Sequence, residues 1–228
     1  MAMHMFCDRA ANPNGVEYIF ALNADDPTAD QVMKLVEAEL LHPSMPASRF
    51  ARIDFVQGDF HGSAPAWDAA AKVSTGAILI QGQDDVEPPV AWDSLLLKRL
   101  SESSDAVHEG VPFFVAVGDG YRKDALCCTA IMSRGYYDLE GHFLFPGYMS
   151  VYSDDEVTYR ALRNARDDKS YFIEARDIVF LHRHHYHDKS VPMDATYARE
   201  NHVHAYALGQ KLFLERNPRA LTDGLKTW

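Results

Sequence analysis

Four groups of carboxylates and imidazoles hold the side chains of this sequence that could do chemistry. The first is Asp84-Asp85, which follows the run Ala77-Ile78-Leu79-Ile80-Gln81-Gly82. Adjacent carboxylates leaving a buried strand can hold a hard divalent cation, and that cation can hold phosphates. The competing use is as an N-cap for the helix that Pro88-Pro89 opens. The second group, Asp25-Asp26, ends another apolar run, Val16 to Leu22. Carboxylates there can accept hydrogen bonds from ribose hydroxyls or base N–H groups, or can close an Asx-type turn. The third, Ser153-Asp154-Asp155-Glu156, stands before a helical pattern. Asp154 or Asp155 could be a general base on an acceptor hydroxyl. The same acids suit the positive end of a helix, and Ser153 with Glu156 fits a capping box.

The fourth group is His182-Arg183-His184-His185-Tyr186-His187-Asp188. Neutral imidazole ligates transition metals such as Mn²⁺ or Zn²⁺. A strand-end His182 could complete a site begun by Asp85. His184, His185 and His187 read as solvent-facing residues, and His202 and His204 as ordinary helix residues. The order HxHHxHD does not match a metallo-β-lactamase pattern, and neither HExxH nor CxxC occurs. GxGxxG, GxxxxGK[ST] and GxSxG are also missing, which counts against a Rossmann dehydrogenase, a P-loop NTPase and an α/β-hydrolase. Cys127 and Cys128 lie in apolar text and read as structural thiols.

Elements must carry these groups. Val16–Leu22 reads as a strand, and Thr28 or Asp30 caps a helix running to about Leu41. Arg52–Gln57 is a second strand, Ala64–Ser74 a helix and Ala77–Gln81 a third strand. A helix from Val90 to Leu100 and strands Val111–Val117 and Ala125–Met132 follow. Asp154–Asn164 is expected as a helix, Ile178–His182 as a strand, and Asp194–Glu215 has helical spacing. Alternating strands and helices imply a mainly parallel sheet. In such sheets, ligands collect at the carboxyl ends of strands. With 47% hydrophobic residues the chain can bury a sizeable core. A net charge of −11 argues against a general nucleic-acid or anionic-membrane binder. No run has the length of a membrane span and no secretory signal is visible, so a cytoplasmic protein of one domain, 1–228, is expected.

Taken in order, these features resemble the GT-A glycosyltransferases, especially the bacterial and phage proteins similar to family 2. The matching text is Val16 to Pro27, Gly62 to Ala70, Gly76 to Asp93, Gly147 to Glu156 and Val179 to His182. The resemblance implies a three-layer α/β/α, Rossmann-like fold with a mixed, mainly parallel central sheet. Residues up to about 118 would form the nucleotide-sugar half, and 119–228 the acceptor half. It implies a nucleotide-sugar donor, a uridine diphosphate sugar in the first instance, and a Mn²⁺ or Mg²⁺ ion. By position, Asp25 and Asp26 would meet the nucleoside, and Asp84 the ribose and donor sugar. Asp85 and His182 would hold the metal, and Asp154 or Asp155 would be the base of an inverting transfer. The acceptor hydroxyl is unknown, and homo-oligomer formation is left open. The sequence departs from the family at three places. Gly82 stands where an earlier metal-motif aspartate is usual, and Ser153-Asp154 replaces Glu-Asp. Met1 to Ala11 reads as the end of the family's first helix, so its first strand is expected to be missing. Two alternatives stand beside this reading: a catalytically inactive binding or assembly protein on the same fold, and a metal-dependent hydrolase using the His182–His187 cluster. Tyr136, Tyr137, Phe143, Phe145 and Tyr148 could stack on a sugar, though core packing is their commoner use.

Overall fold

A computed structural model describes residues 2–103, 110–185, 187–191 and 195–225. Helix α1 (Ala2–Arg9) buries Met3, Phe6 and Cys7, which lie on one face at helical spacing. Strand β1 (Glu17–Asn23), helix α2 (Ala29–Leu40) and strand β2 (Arg52–Gly58) follow, with β2 parallel to β1 from Glu17↔Arg52 to Asn23↔Gly58. Helix α3 (Ser63–Val73) leads to β3 (Ile78–Ile80), and β4 (Val86–Glu87) precedes α4 (Trp92–Ser103). The second half contains β5 (Phe113–Gly118), β6 (Ile131–Ser133), α5 (Arg134–Glu140) and α6 (Ser153–Arg166). It closes with β7 (Tyr171–Val179), β8 (Leu181–His182), α7 (Ala195–Glu200) and α8 (Val203–Arg216).

The fold is mixed α/β. Four strands lie in the order β3-β6-β5-β7; β6 is antiparallel to both neighbours and β5 is parallel to β7. The pairs β1-β2 and β4-β8 stand as separate two-stranded ladders. The long ladders are therefore parallel and the short ones antiparallel. Strand β5 is Phe-Phe-Val-Ala-Val-Gly, an unbroken apolar run, because helices cover both of its faces. Phe114 and Ala116 enter one core with Ala64 and Ala71 of α3, Tyr136 of α5, Tyr159 of α6 and Phe213 of α8. Phe113, Val115 and Val117 enter the other, with Phe6 of α1 and Trp92, Leu96 and Leu100 of α4. Each buried Val, Leu or Phe among them contributes about 1.5–3 kcal/mol of burial. Tyr136, Phe143 and Tyr148 are core residues, so this part of the aromatic segment is not a sugar platform.

Four sequence expectations need correction. Only Ile131–Ser133 of the expected Ala125–Met132 strand pairs. Upstream, Arg176 donates to the carbonyls of Ala125 and Leu126, and Thr158 Oγ1 accepts from Cys127 N, so side chains satisfy that backbone. The expected Ile178–His182 strand is two elements. β7 starts at Tyr171 on β5, whereas β8 leaves to pair with β4. The expected tail helix is broken at His202, whose Nδ1 accepts from His204 N and Ala205 N at 3.0 and 3.2 Å; His202 is thus a helix cap. The Asp194 start of that expected helix lies outside the described residues. Helix α5, not expected, is bounded by Ser133 as N-cap and by left-handed Gly141.

Candidate active site

The short β4-β8 ladder brings two distant parts of the chain together. Val86 faces His182 and Glu87 faces Leu181. Arg183 N donates to Asp85 O at 2.7 Å, and His182 N donates to Asp119 O, just past β5, at 3.0 Å. Gly120 makes this approach fit. It has φ of +89°, and a Cβ there would stand 2.6 Å from Leu181 Cδ1. With both backbones fixed, His182 Nε2 lies 3.0 Å from Asp85 Oδ2. The His182 side chain is 13% exposed and that of Asp85 33%, so the pair is half-buried and reached by solvent from the Asp85 side. Glu87 braces the ladder by accepting from Arg183 Nε at 2.8 Å and Arg9 Nη2 at 3.4 Å.

Asp154, at the start of α6, lies within electrostatic range of His182. Its carboxyl is pushed above the usual range by burial. Backbone N–H groups at the helix start oppose that push, as do the charges of Arg122 and His182. Arg122 forks onto Asp124 at 2.9 and 2.6 Å. Its charge also acts on Cys128, whose thiol is pushed up by burial and by the Asp154 and Asp119 carboxylates. Burial raises the Cys127 thiol too, to about 11. Neither thiol is a nucleophile near neutral pH. The His184 ring centre lies 4.9 Å from that of His182. Burial, then the neighbouring His182, push His184 down to about 4, so it is neutral at physiological pH.

Asp85 and His182 are thus brought into contact from the β3–β4 loop and β8, and Asp154 of α6 is within electrostatic range of His182. Asp84 is exposed, and its charge adds to burial in raising the Tyr18 phenol of β1. Asp155 acts electrostatically on Tyr148 and Tyr152. At the end of β1, Asp26 Oδ1 accepts from Thr28 N and Oγ1 at 2.8 and 2.7 Å, an Asx turn into α2, with exposed Asp25 beside it. Glu156 does not form the expected capping box. Its carboxylate takes Arg216 Nε and the Tyr148 hydroxyl instead. Arg122 was not singled out from sequence, although Gly118-Asp119-Gly120 marks a strand end of the kind that found Asp85.

The Asp85–His182 pair fits a Mn²⁺ or Mg²⁺ ion in part. Oxygen and nitrogen atoms 3.0 Å apart match adjacent corners of an octahedron with bonds of about 2.1 Å. Among the described residues, no three His, Cys, Asp or Glu side chains are grouped to hold one ion. Two protein ligands suit Mg²⁺-like ions, which keep waters and take substrate phosphates for the rest. They do not suit the three-ligand set of a zinc hydrolase. Among the described residues, no helix is long and apolar enough to cross a membrane. Searches of protein-family models, curated proteins and solved structures give no significant match to this chain.

Proposed function

We propose that this chain is a metal-dependent glycosyltransferase of the GT-A type. It would take a sugar from a nucleotide diphosphate, a uridine diphosphate in the first instance, to an acceptor hydroxyl with inversion. The observation that carries this reading is the 3.0 Å Asp85–His182 contact, with the Asp154 carboxyl in electrostatic range of His182. Asp85 and His182 would hold Mn²⁺ or Mg²⁺, which when bound supplies Lewis-acid stabilisation of the departing diphosphate. The Asp154 carboxylate takes the proton of the acceptor hydroxyl as the acceptor oxygen bonds to the anomeric carbon. The bond from that carbon to the diphosphate oxygen breaks, and its electron pair leaves with the diphosphate. A carboxylate whose proton affinity is raised by burial is better matched to this task near neutral pH than an exposed one. Asp84, and Asp25 with Asp26, are assigned to the donor's ribose and base.

A thermal-shift screen of sugar nucleotides with and without Mn²⁺ tests the reading. Binding to the native state raises the melting temperature by mass action. A rise that needs both Mn²⁺ and a sugar nucleotide is expected. A flat response to UDP-glucose, UDP-galactose and UDP-N-acetylglucosamine, each at millimolar concentration with Mn²⁺, would overturn it.

A further inference from the structure

Within the first turn of α6 the Asp154 carboxylate accepts from Asp155 N at 3.1 Å, but the residue at the N-cap position does no capping. That residue, Tyr152, has φ of +71° and makes no side-chain cap bond, and the Glu156 carboxylate is spent elsewhere. The turn is instead gripped from α8, some sixty residues on. Arg216 Nε donates to both Glu156 oxygens at 2.9 and 3.0 Å, while the Arg216 guanidinium lies 3.3 Å over the Phe145 ring. Glu156 is only 2% exposed and also accepts from the Tyr148 hydroxyl. About two turns earlier on the same face of α8, Gly209 meets the corner before the turn. A Cβ there would lie 2.8 Å from Val151 O and 3.0 Å from Tyr152 Cδ2. Two contacts from one helix thus bracket Asp154, on Val151–Tyr152 before it and on Glu156 after it.

We infer that α8 is the positioning element of the active site: Gly209 and Arg216 set where the Asp154 carboxylate stands relative to Asp85 and His182. This rests on the transferase reading above. Arg216 and Gly209 touch no reacting group and act only through the α6 turn. Their loss is therefore felt in turnover and not in donor binding, which uses the β4-β8 ladder.

The test compares wild-type protein with Gly209→Ala and Arg216→Lys. The double variant Glu156→Gln/Arg216→Met is added because removing both charges avoids leaving one buried and unpaired. Three quantities are read: UDP release from the three UDP-sugars above with Mn²⁺, the Kd for Mn²⁺–UDP by calorimetry, and amide hydrogen exchange of a peptide covering 150–158. A displacement near 1 Å at a catalytic group lowers turnover by about 10- to 100-fold. We expect such a loss in Gly209→Ala and in the double variant, with faster exchange in the peptide and Kd within about twofold of wild type. The double variant is expected to melt near the wild-type temperature, with Arg216→Lys intermediate in turnover. Unchanged turnover in Gly209→Ala and the double variant overturns the inference. So does turnover that falls only in step with melting temperature, since that marks a structural role only. If wild-type protein releases UDP, a failure in the variants is the failure of this inference alone. If wild-type protein binds no Mn²⁺–UDP and releases none, the transferase reading falls and this inference with it.

Discussion

Replacing Asp85 by Asn isolates the contribution of charge to the proposed metal pair. The amide keeps the side chain's length and leaves an oxygen near the His182 ring, 3.0 Å away in the native chain, but removes the negative charge. A charge-assisted contact is worth about 1.5–3 kcal/mol. One third of the Asp85 side chain reaches solvent, which screens the pair, so the lower half of that range applies. At about 1.4 kcal/mol per factor of ten, the loss is about 10- to 40-fold in cation affinity. Calorimetric titration of Mn²⁺ into protein saturated with UDP measures it, with Asp138→Asn as a comparison because Asp138 is an exposed residue of α5 that has no part in the proposed site. The account predicts weakening in Asp85→Asn well beyond that in Asp138→Asn. Equal affinity in wild type and Asp85→Asn would refute the reasoning, because the carboxylate at the β4-β8 ladder would then have no part in holding a cation.

Three further outcomes follow from the same geometry. Asp154→Asn should end UDP release yet raise the melting temperature, because burial makes the native carboxylate costly; each 1 kcal/mol relieved moves the midpoint by about 2–4 °C, and a fall in melting temperature by differential scanning fluorimetry would contradict this. His184 is held below its ordinary value of 6.5, at about 4, so the unfolded chain binds its proton first and stability is lost as pH falls from about 6.5 to about 4; His184→Gln should flatten urea-midpoint slopes across that window, and slopes as steep as wild type would tell against it. Gly120→Ala combines a left-handed φ with a clash on Leu181, at a cost of about 1–3 kcal/mol, and should both lower the urea midpoint and weaken Mn²⁺ binding; a variant with both unchanged would show that β8 is not seated there.

The strands that alternate with helices were legible because their apolar runs end sharply at Asn, Asp, Gly or Pro, as at Asn23 and Gly82. The same rule found Asp85 and His182, since both leave short runs at sheet ends. What was not legible is long-range. Glu156 reads locally as half of a capping box, and only the folded chain shows that Arg216 and Tyr148 take it. Ala125–Ala130 has the composition of a strand, but Arg176 and Thr158 supply its hydrogen bonds from elsewhere. Helix α5 carried signals at both ends, Ser133 and Gly141, yet seven residues give too little periodicity to stand out. β7 buries Ile173 and Ala175 with exposed Glu174 between them, and its register on β5 then shifts over residues 176–178, a pattern hidden by the stronger apolar text that follows.

The most direct test is UDP release from UDP-sugars by purified protein, followed by anion-exchange chromatography with Mn²⁺ and with EDTA. The account predicts release that requires Mn²⁺, is lost in Asp154→Asn while Mn²⁺–UDP still binds, and is lost in Asp85→Asn together with that binding. Release that persists in EDTA, or that survives Asp154→Asn, would contradict a single centre built from Asp85, His182 and Asp154.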